Sequence, residues 1–499
     1  MSLKSPTVLA FDLGASSGRA LIGEMISGTN GEKSLRMTEI HRFTNGHIQV
    51  GKHYYWDILM IVQEIKKGIR KAFQQGFLPV SYGIDTWGVD FGLLDHNGEL
   101  LGNPYHYRDP QTNGLINEIC EMVGEERLFK EGGLQLLPFN TIYQLYAMKK
   151  SNCSKLTHAK TLLLTPDLLN YFLTGEKTCE FTMATTTQLF LPNQGVWNEP
   201  LMKELGIPSS LFIEPIQPGA IIGNITDEVR KELGVPDLKA IAVGSHDTES
   251  AIVAVPANTS NFVYLVCGTW SLLGTELEEA LLTMEVRQLQ FSNEGGVGHT
   301  YQLLKNIMGL WILQECKRKW DRIDTEVTFT EIVREAAEVT PFRSLIDPDD
   351  LRFLNPSDME KEIQNFCEET EQPVPRQRGE VVRCILESLA LRYRKVLEQI
   401  EKLTGHSYAG LHMIGGGIQN ELLCQFTANA IARPVWAGPV EASAIGNIIV
   451  QFHAIGEFND VKEATSIIKR SFPVVTYEPS TTEDWSDAYH QYDQISHSI

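Results

Sequence analysis

The sequence has few basic residues for its size. Its 499 residues include 43 Lys and Arg against 63 Asp and Glu, which gives a formal net charge of -20. This balance argues against a nucleic-acid-binding protein, because such a protein needs a basic surface to displace counterions. An anionic ligand would have to be held by local backbone N–H groups and a metal ion, since the overall field does not attract it.

Long apolar runs and metal-type cysteine spacings are also absent. No stretch approaches the roughly eighteen apolar residues of a membrane span, and Asp12 interrupts the first apolar run, so we expect no secretory signal. The 8 cysteines form no CxxC pair, which favours buried thiols in a reducing compartment. Whether Cys367 and Cys384 pair stays open. We therefore expect a cytoplasmic protein with no nucleic-acid and no membrane partner. We also expect a monomer or homodimer, and the sequence does not decide between them.

The common nucleotide-binding fingerprints are missing as well. GxxxxGK[ST] does not occur, which excludes a P-loop enzyme, and no GxGxxG follows a strand. Instead, an apolar run enters and leaves a Gly/Ser-rich turn at residues 8–23, and a similar pattern recurs at 261–276. Small turn residues let backbone N–H groups point outward together, which suits a phosphate. The repetition predicts two similar domains that bind one nucleotide.

Length and periodicity predict two α/β domains. A chain of this length is too long for one core, and two domains of roughly 250 residues are the natural expectation. Strand-like runs alternate with helical patterns, which is typical of an α/β layer. We predict helices over residues 55–75, 166–175, 306–320, 379–403 and 441–450. Asp57 is expected to cap the first helix, and residues 340–377 are acidic and loop-like.

Several polar residues at strand ends are candidates for chemistry. Asp12 either caps a turn or coordinates Mg²⁺ through water beside phosphates. Asp247 either complements the dipole of a helix or accepts the proton of an alcohol during phosphoryl transfer. His246 is either structural or a hydrogen-bond partner of a sugar hydroxyl, and spacing favours neither. Residues 85–90 are either a core Trp with a turn or a sugar site at which Gly88 admits close approach.

Across eight segments, in order, the sequence resembles the FGGY carbohydrate kinases. The segments are residues 11–19 (FDLGASSGR), 85–91 (DTWGVDF), 245–248 (SHDT), 267–271 (CGTWS), 306–311 (NIMGLW), 347–356, 415–420 (GGGIQN) and 438–443 (GPVEAS). The resemblance implies an α/β protein with two actin/ribonuclease-H-like domains and a cleft between them. It places an N-terminal sugar-binding domain at 1–250, a C-terminal nucleotide-binding domain at 251–460 and a tail packed on the domains at 461–499.

Carried over position by position, the resemblance also implies the roles of individual residues. The implied ATP contacts are Ala15, Ser16, Ser17, Gly18, Arg19, Thr269, Gln314 and Gly416, with Asp12 near a Mg²⁺ ion. The implied ketose contacts are Gly88, His246, Asp247, Thr248 and Asn306, and Asp247 would be the proton acceptor. Glu249 departs from the family pattern, in which a small residue is commoner at this position.

The activity that the resemblance implies is transfer of the γ-phosphoryl group of ATP to the C1 hydroxyl of L-rhamnulose. The products would be L-rhamnulose 1-phosphate and ADP, in the breakdown of L-rhamnose. A kinase for another deoxyketose, such as L-fuculose, is the alternative, because pocket details decide between epimers. A non-enzymatic actin-like ATPase scaffold fits less well, because a switch needs no base for an acceptor hydroxyl.

Overall fold

A computed structural model describes residues 6–28, 32–323 and 327–496. The chain folds into two compact units. The first unit is built from Met1–Pro256, Glu276–Leu303 and Ala442–Phe472, and the second from Ala257–Thr275, Leu304–Glu441 and Pro473–Ile499. Among the described residues, no helix is both long and apolar enough to cross a membrane.

Strands and helices alternate along most of the chain. In chain order the strands are β1 (Thr7–Leu13), β2 (Ser17–Ser27), β3 (Lys33–Thr44), β4 (His47–Val50), β5 (His53–Trp56), β6 (Pro79–Thr86), β7 (Phe91–Leu94), β8 (Thr161–Leu164), β9 (Phe190–Leu191), β10 (Val196–Trp197), β11 (Ile221–Asn224), β12 (Lys239–Ile241), β13 (Val263–Cys267), β14 (Trp270–Leu277), β15 (Ser292–Gly295), β16 (Tyr301–Met308), β17 (Leu411–Ile414), β18 (Val435–Ala437) and β19 (Val475–Tyr477).

The α-helices have the following bounds. They are α1 (Ile58–Gln74), α2 (Leu115–Val123), α3 (Glu125–Gly132), α4 (Thr141–Lys150), α5 (Ser154–His158), α6 (Thr165–Thr174), α7 (Phe181–Thr185), α8 (Glu199–Leu205), α9 (Asp227–Leu233), α10 (Asp247–Val253), α11 (Met284–Gln288), α12 (Trp311–Ile323), α13 (Phe329–Glu338), α14 (Met359–Glu369), α15 (Arg378–Thr404), α16 (Glu421–Ile431), α17 (Ala442–Ala454), α18 (Ala464–Ser471) and α19 (Thr482–Ile495).

A six-stranded sheet organises the first unit, in the order β11-β12-β6-β1-β2-β3. β1 and β2 form an antiparallel hairpin in which Asp12 pairs with Arg19. β6 lies parallel to β1, in a register that pairs Asp12 with Asp85. Because parallel strands end at the same edge of a sheet, Asp12 and Asp85 lie side by side.

Helices α1 and α17 pack on this sheet. The predicted apolar stripe of α1 is confirmed, since its isoleucines are fully buried, namely Ile58, Ile61, Ile65 and Ile69. The Asp57 side chain caps this helix by accepting a hydrogen bond from Met60 N at 3.1 Å. α17 packs on α10 so closely that a Cβ atom at Gly446 would lie 1.7 Å from Ser250 O. Only glycine permits this approach.

A second sheet has the order β15-β16-β14-β13-β17-β18-β19. Within the second unit, β13 and β14 form an antiparallel hairpin that pairs Cys267 with Ser271. β17 lies parallel to β13, with Leu265 opposite Met413. A hairpin with a parallel strand beside its first strand thus occurs in both sheets, which confirms the repetition predicted from the two glycine-rich turns.

Two local predictions are wrong. The helix predicted over residues 306–320 begins only at Trp311, because residues 301–308 form β16. The burial of β16 is almost continuous, and a short buried strand cannot be told from a helix by periodicity. The stretch predicted as a loop over 340–377 contains α14, whose apolar stripe is interspersed with acidic residues. The buried members of that stripe are Met359, Ile363, Phe366 and Cys367.

The other predicted helices are confirmed to within a few residues at each end. They correspond to α1, α6, α15 and α17. The predicted glycine stop of α6 is also present, because Gly175 adopts the left-handed conformation and caps the helix. All eight cysteines are free thiols, and Cys367 and Cys384 are both buried in the second unit.

Candidate active site

The turn of the first hairpin carries the residues expected to contact ATP phosphates. Gly14 N donates to Ser17 O at 2.9 Å, and the Asn45 side chain donates to Gly14 O at 2.9 Å, which fixes the shape of the turn. Within residues 6–28, 32–323 and 327–496, nothing accepts a hydrogen bond from the backbone N–H groups of Ala15 and Ser16. Two adjacent free N–H groups in a turn of small residues suit an anion.

The end of the same turn holds an ion pair. The Arg19 guanidinium contacts the carboxylate of Asp12, and both side chains are largely buried. Ser17 and Gly18 begin β2, and a Cβ atom at Gly18 would collide with the Phe43 ring. The structure therefore brings all six predicted residues from Asp12 to Arg19 into one short segment of the first unit.

Asp247 lies at the junction between β12 and α10. The junction is anchored by Thr86 N, which donates to Ser245 O at 2.9 Å, and by His246 N, which donates to Thr182 Oγ1 at 3.1 Å. Asp247 is the first residue of α10, and its side chain keeps 30% of its surface exposed. Asp247 therefore stands at the start of a helix, and solvent or a ligand can reach its carboxylate.

Three carboxylates share one electrostatic environment in the first unit. Burial raises the pKa of Asp247 to about 6; the His246 ring opposes the rise, and the charge of Asp12 adds to it. Burial also raises the pKa of Asp85 well above its usual value, again with a contribution from Asp12. Asp247 is thus mostly ionised at neutral pH yet basic enough to accept a proton, which is the compromise that a general base needs.

The pair of Asp12 and Asp85 fits a hard divalent cation. Asn447 Nδ2 donates to Asp85 Oδ2 at 2.6 Å, whereas the buried Asp85 Oδ1 has no hydrogen-bond partner among the described residues. Carboxylate oxygens are the ligands that Mg²⁺ prefers. From the sequence, Asp85 was predicted only as part of the possible sugar site over residues 85–90 and not as a metal ligand. Asp85 lies beside Asp12 because of the parallel register of β1 and β6, which depends on the fold of the sheet.

Gly88 lies against His246. A Cβ atom at Gly88 would lie 3.3 Å from His246 Nε2 and 3.3 Å from Thr186 Cγ2. His246 and Thr248 are both buried next to Asp247. Four of the five residues predicted to contact the ketose therefore lie close together in the first unit.

Trp87 and Asp90 of segment 85–90 contribute to the core. Asp90 is fully buried, and its Oδ2 accepts hydrogen bonds from Trp56 Nε1 at 2.6 Å and Trp87 Nε1 at 3.0 Å. The two indoles stack with ring centroids 3.8 Å apart. Of the two interpretations of this segment, the core Trp with a turn describes Trp87 and Asp90.

The other predicted residues lie in the second unit. Thr269 is in the turn between β13 and β14, and its Oγ1 donates to Gln314 Oε1 at 3.4 Å. Gly416 follows Gly415, whose Cβ would lie 3.1 Å from Cys267 O, so the glycine turn packs against the end of the same hairpin. The three predicted ATP contacts of this unit are therefore neighbours. Asn306, the fifth predicted ketose contact, is in β16 and belongs to this unit as well.

The chain matches two family models in succession. Residues 7–254 match the N-terminal domain of the FGGY family of carbohydrate kinases, and residues 263–455 match the C-terminal domain of the same family. The chain belongs to the FGGY carbohydrate kinases. It is therefore an enzyme of a family that phosphorylates sugars with ATP, as the resemblance implied.

Individual FGGY relatives extend over nearly the whole chain. A rhamnulokinase of Bacteroides thetaiotaomicron is 45% identical over 480 residues, which cover 96% of this chain and 97% of the relative. A rhamnulokinase of Oceanobacillus iheyensis is 43% identical over 475 residues, which cover 95% of this chain and 99% of the relative.

Solved structures with the same fold are more distant in sequence. A gluconate kinase from Lactobacillus acidophilus superposes with a TM-score of 0.80 at 17% identity, over 99% of this chain and 98% of that one. A xylulose kinase from the same species gives a TM-score of 0.79 at 16% identity, over 99% of this chain and 98% of that one. They confirm the predicted α/β fold with two actin/ribonuclease-H-like domains.

Proposed function

We propose that this FGGY kinase phosphorylates L-rhamnulose at the C1 hydroxyl, with ATP as donor, to give L-rhamnulose 1-phosphate and ADP. The observation that carries the proposal is the 38–45% identity to several rhamnulokinases over nearly the full chain. The reaction would belong to L-rhamnose breakdown. No observation favours an L-fuculose kinase or a non-enzymatic scaffold.

Asp247 is the proposed proton acceptor. Its carboxylate would take the proton of the C1 hydroxyl as the C1 oxygen attacks the γ-phosphorus and ADP leaves. Its raised pKa and partial exposure support this role, because the group is both accessible and basic enough. Gly88, His246, Thr248 and Asn306 are the proposed ketose contacts.

The phosphates are proposed to bind at the glycine-rich turns. Residues from Ala15 to Arg19 would contact them in the first unit, and Thr269, Gln314 and Gly416 would line the nucleotide site in the second. Mg²⁺ is the proposed cofactor, near Asp12 and with Asp85 beside it, where it would offset the phosphate charge. The free N–H groups of Ala15 and Ser16 support this assignment.

Three further assignments stay proposals. The division at residues 250 and 460, with a tail over 461–499, is the proposed domain organisation. A monomer or homodimer is the proposed oligomeric state. A cytoplasmic location is proposed because ATP, the phosphoryl donor, is supplied inside the cell.

The experiment is the substitution Asp247→Asn. We expect L-rhamnulose-dependent ADP release to fall by roughly 10²–10⁴-fold, the usual contribution of a positioned base, while ATP still binds. Asp227→Asn is the matched control, because Asp227 lies in the same unit with 64% of its side chain exposed. Near-normal turnover of Asp247→Asn would remove Asp247 from its role, and ADP release with L-fuculose but not L-rhamnulose would favour the alternative substrate.

A further inference from the structure

His246, the proposed sugar contact, belongs to a buried cluster of three side chains in the first unit. His246, Glu249 and Glu294 are 9%, 1% and 6% exposed. Each offers one ligand atom, and these atoms all lie within 4.8 Å of one another. His246 Nδ1 and Glu294 Oε2 are 3.1 Å apart. The three ligand atoms are close enough for a small movement of the side chains to bring all of them into contact with one ion.

Secondary structure explains how the cluster forms. His246 is the N-cap residue of α10 and Glu249 is the third residue of the helix, and Glu249 N donates to His246 O at 2.9 Å, which holds the two residues together. Glu294 comes from β15, where Gly295 N donates to Thr185 Oγ1 of α7 at 2.8 Å. Hydrogen bonds of the backbone therefore fix the positions from which the three side chains extend.

Four polar atoms of the cluster have no hydrogen-bond partner among the described residues. In the part of the chain that the structure describes, no hydrogen bond reaches His246 Nδ1, either carboxylate oxygen of Glu249, or Glu294 Oε2. His246 Nδ1 and Glu294 Oε2 lie within ion-pair distance, at 3.1 Å, but their geometry is not that of a hydrogen bond. Buried polar atoms in proteins almost always have a partner, so we expect these atoms to share a common partner.

The surroundings of the cluster are strongly negative. The charged neighbours that act on the buried Glu249 carboxylate are themselves carboxylates, those of Glu294, Glu276, Glu180 and Asp247. A bound cation would relieve both the burial of Glu249 and the repulsion from these neighbours.

We propose that His246 Nδ1, Glu249 and Glu294 bind a divalent transition-metal ion of the Zn²⁺ type. One imidazole nitrogen with two carboxylates is a ligand set that such ions accept, whereas Mg²⁺ and Ca²⁺ favour oxygen ligands alone. The site is thus separate from the Mg²⁺ proposed at Asp12, and three protein ligands leave a position open for water.

The ion would also fix the orientation of the sugar contact. His246 Nε2 is the ring nitrogen nearest to the Cβ position at Gly88. An ion on Nδ1 keeps the hydrogen of the ring on Nε2, where it can be donated to a hydroxyl. This consequence rests on the proposed function, but the metal site itself does not.

The test measures metal directly and needs no activity. The full chain is treated with a chelator, dialysed against Zn²⁺ and analysed by mass spectrometry for bound metal. We expect one Zn²⁺ per chain and a higher melting temperature in its presence. Glu249→Gln should weaken binding by more than the roughly 10–100-fold that loss of an outer partner costs.

Glu276→Gln is the matched control. The Glu276 carboxylate lies in the same negative region, but its Oε2 already accepts hydrogen bonds from Thr300 Oγ1 and Gln302 Nε2, each at 3.2 Å. This variant should bind Zn²⁺ as the unmodified chain does. If Glu249→Gln fails to fold, two other measurements test the site. They are Zn²⁺ binding by Glu294→Gln and the visible absorption of Co²⁺ bound to the unmodified chain. A chain that takes up no Zn²⁺, or equal uptake by Glu249→Gln, would overturn the proposal and leave the cluster as an ion pair of His246 with Glu294.

Discussion

Replacing Asp247 by Asn should make the protein more stable as well as inactive. In the folded chain, burial and the charge of Asp12 raise the pKa of Asp247 from 3.8 to about 6, against the opposing effect of the His246 ring. Above pH 6 the carboxylate is ionised in both the folded and the unfolded chain. The ionised Asp247 then lowers the free energy of unfolding by about 3 kcal/mol, because each pKa unit of the shift corresponds to 1.36 kcal/mol.

Asn carries no charge and nearly the same shape, and its side-chain oxygen can still accept from Thr248 Oγ1, as Asp247 Oδ1 does at 3.3 Å. The variant should therefore gain about 1–3 kcal/mol at pH 8, which raises the melting temperature by roughly 2–4 °C for each kcal/mol in a domain of this size. The gain should shrink as the pH falls through 6 and vanish below about pH 4, because Asp247 is then protonated in both states.

Thermal denaturation of the two proteins at pH 8 and pH 5 measures this difference. Asp227→Asn, at an exposed carboxylate, should leave the melting temperature within about 1 °C, since exposed ion pairs contribute little. If Asp247→Asn melts at the same or a lower temperature at pH 8, the ionised Asp247 does not destabilise the folded chain. Its pKa is then not raised, and the argument for Asp247 as a general base fails.

Three further predictions concern the same unit. The kcat/KM for L-rhamnulose should fall on the acidic side with a midpoint near pH 6, and Asp12→Asn should move this midpoint to lower pH by removing a neighbouring charge; an unmoved midpoint contradicts the coupling. Gly88→Ala should raise the KM for the sugar roughly tenfold but not the KM for ATP, because its Cβ would crowd His246 Nε2 at 3.3 Å. If the variant and the unmodified protein have the same KM for the sugar, the sugar binds elsewhere. Gly446→Ala should destabilise the fold by about 1–3 kcal/mol, measured by denaturant unfolding, whereas no change would dispute the close packing on Ser250.

Local sequence signals predict much of the fold. The stripe of α1, the cap at Asp57 and the glycine stop of α6 depend on residues within a few positions of one another, and all three are present. The start of β16 is missed because a short buried strand has the same run of apolar residues as a helix. Only the pairing of that strand with its neighbours decides between them.

The site is predicted where its residues are close in sequence and missed where the sheet brings them together. Asp12 and Asp247 stand at strand ends that the sequence marks with small residues. Asp85 comes to lie beside Asp12 only because β6 is parallel to β1, and Glu294 reaches His246 from β15, 48 positions later in the chain. Such contacts depend on strand register, which a single sequence does not encode locally.

The identity of the phosphorylated product decides whether this chain is a C1 kinase of L-rhamnulose. The purified protein is incubated with L-rhamnulose, ATP and Mg²⁺, ADP release is followed, and the product is analysed by ³¹P and ¹³C nuclear magnetic resonance. We expect one ADP for each phosphorylated sugar and coupling of phosphorus to C1, with the reaction lost in Asp247→Asn. Phosphorylation at another carbon, or ADP release that does not depend on L-rhamnulose, would contradict the account.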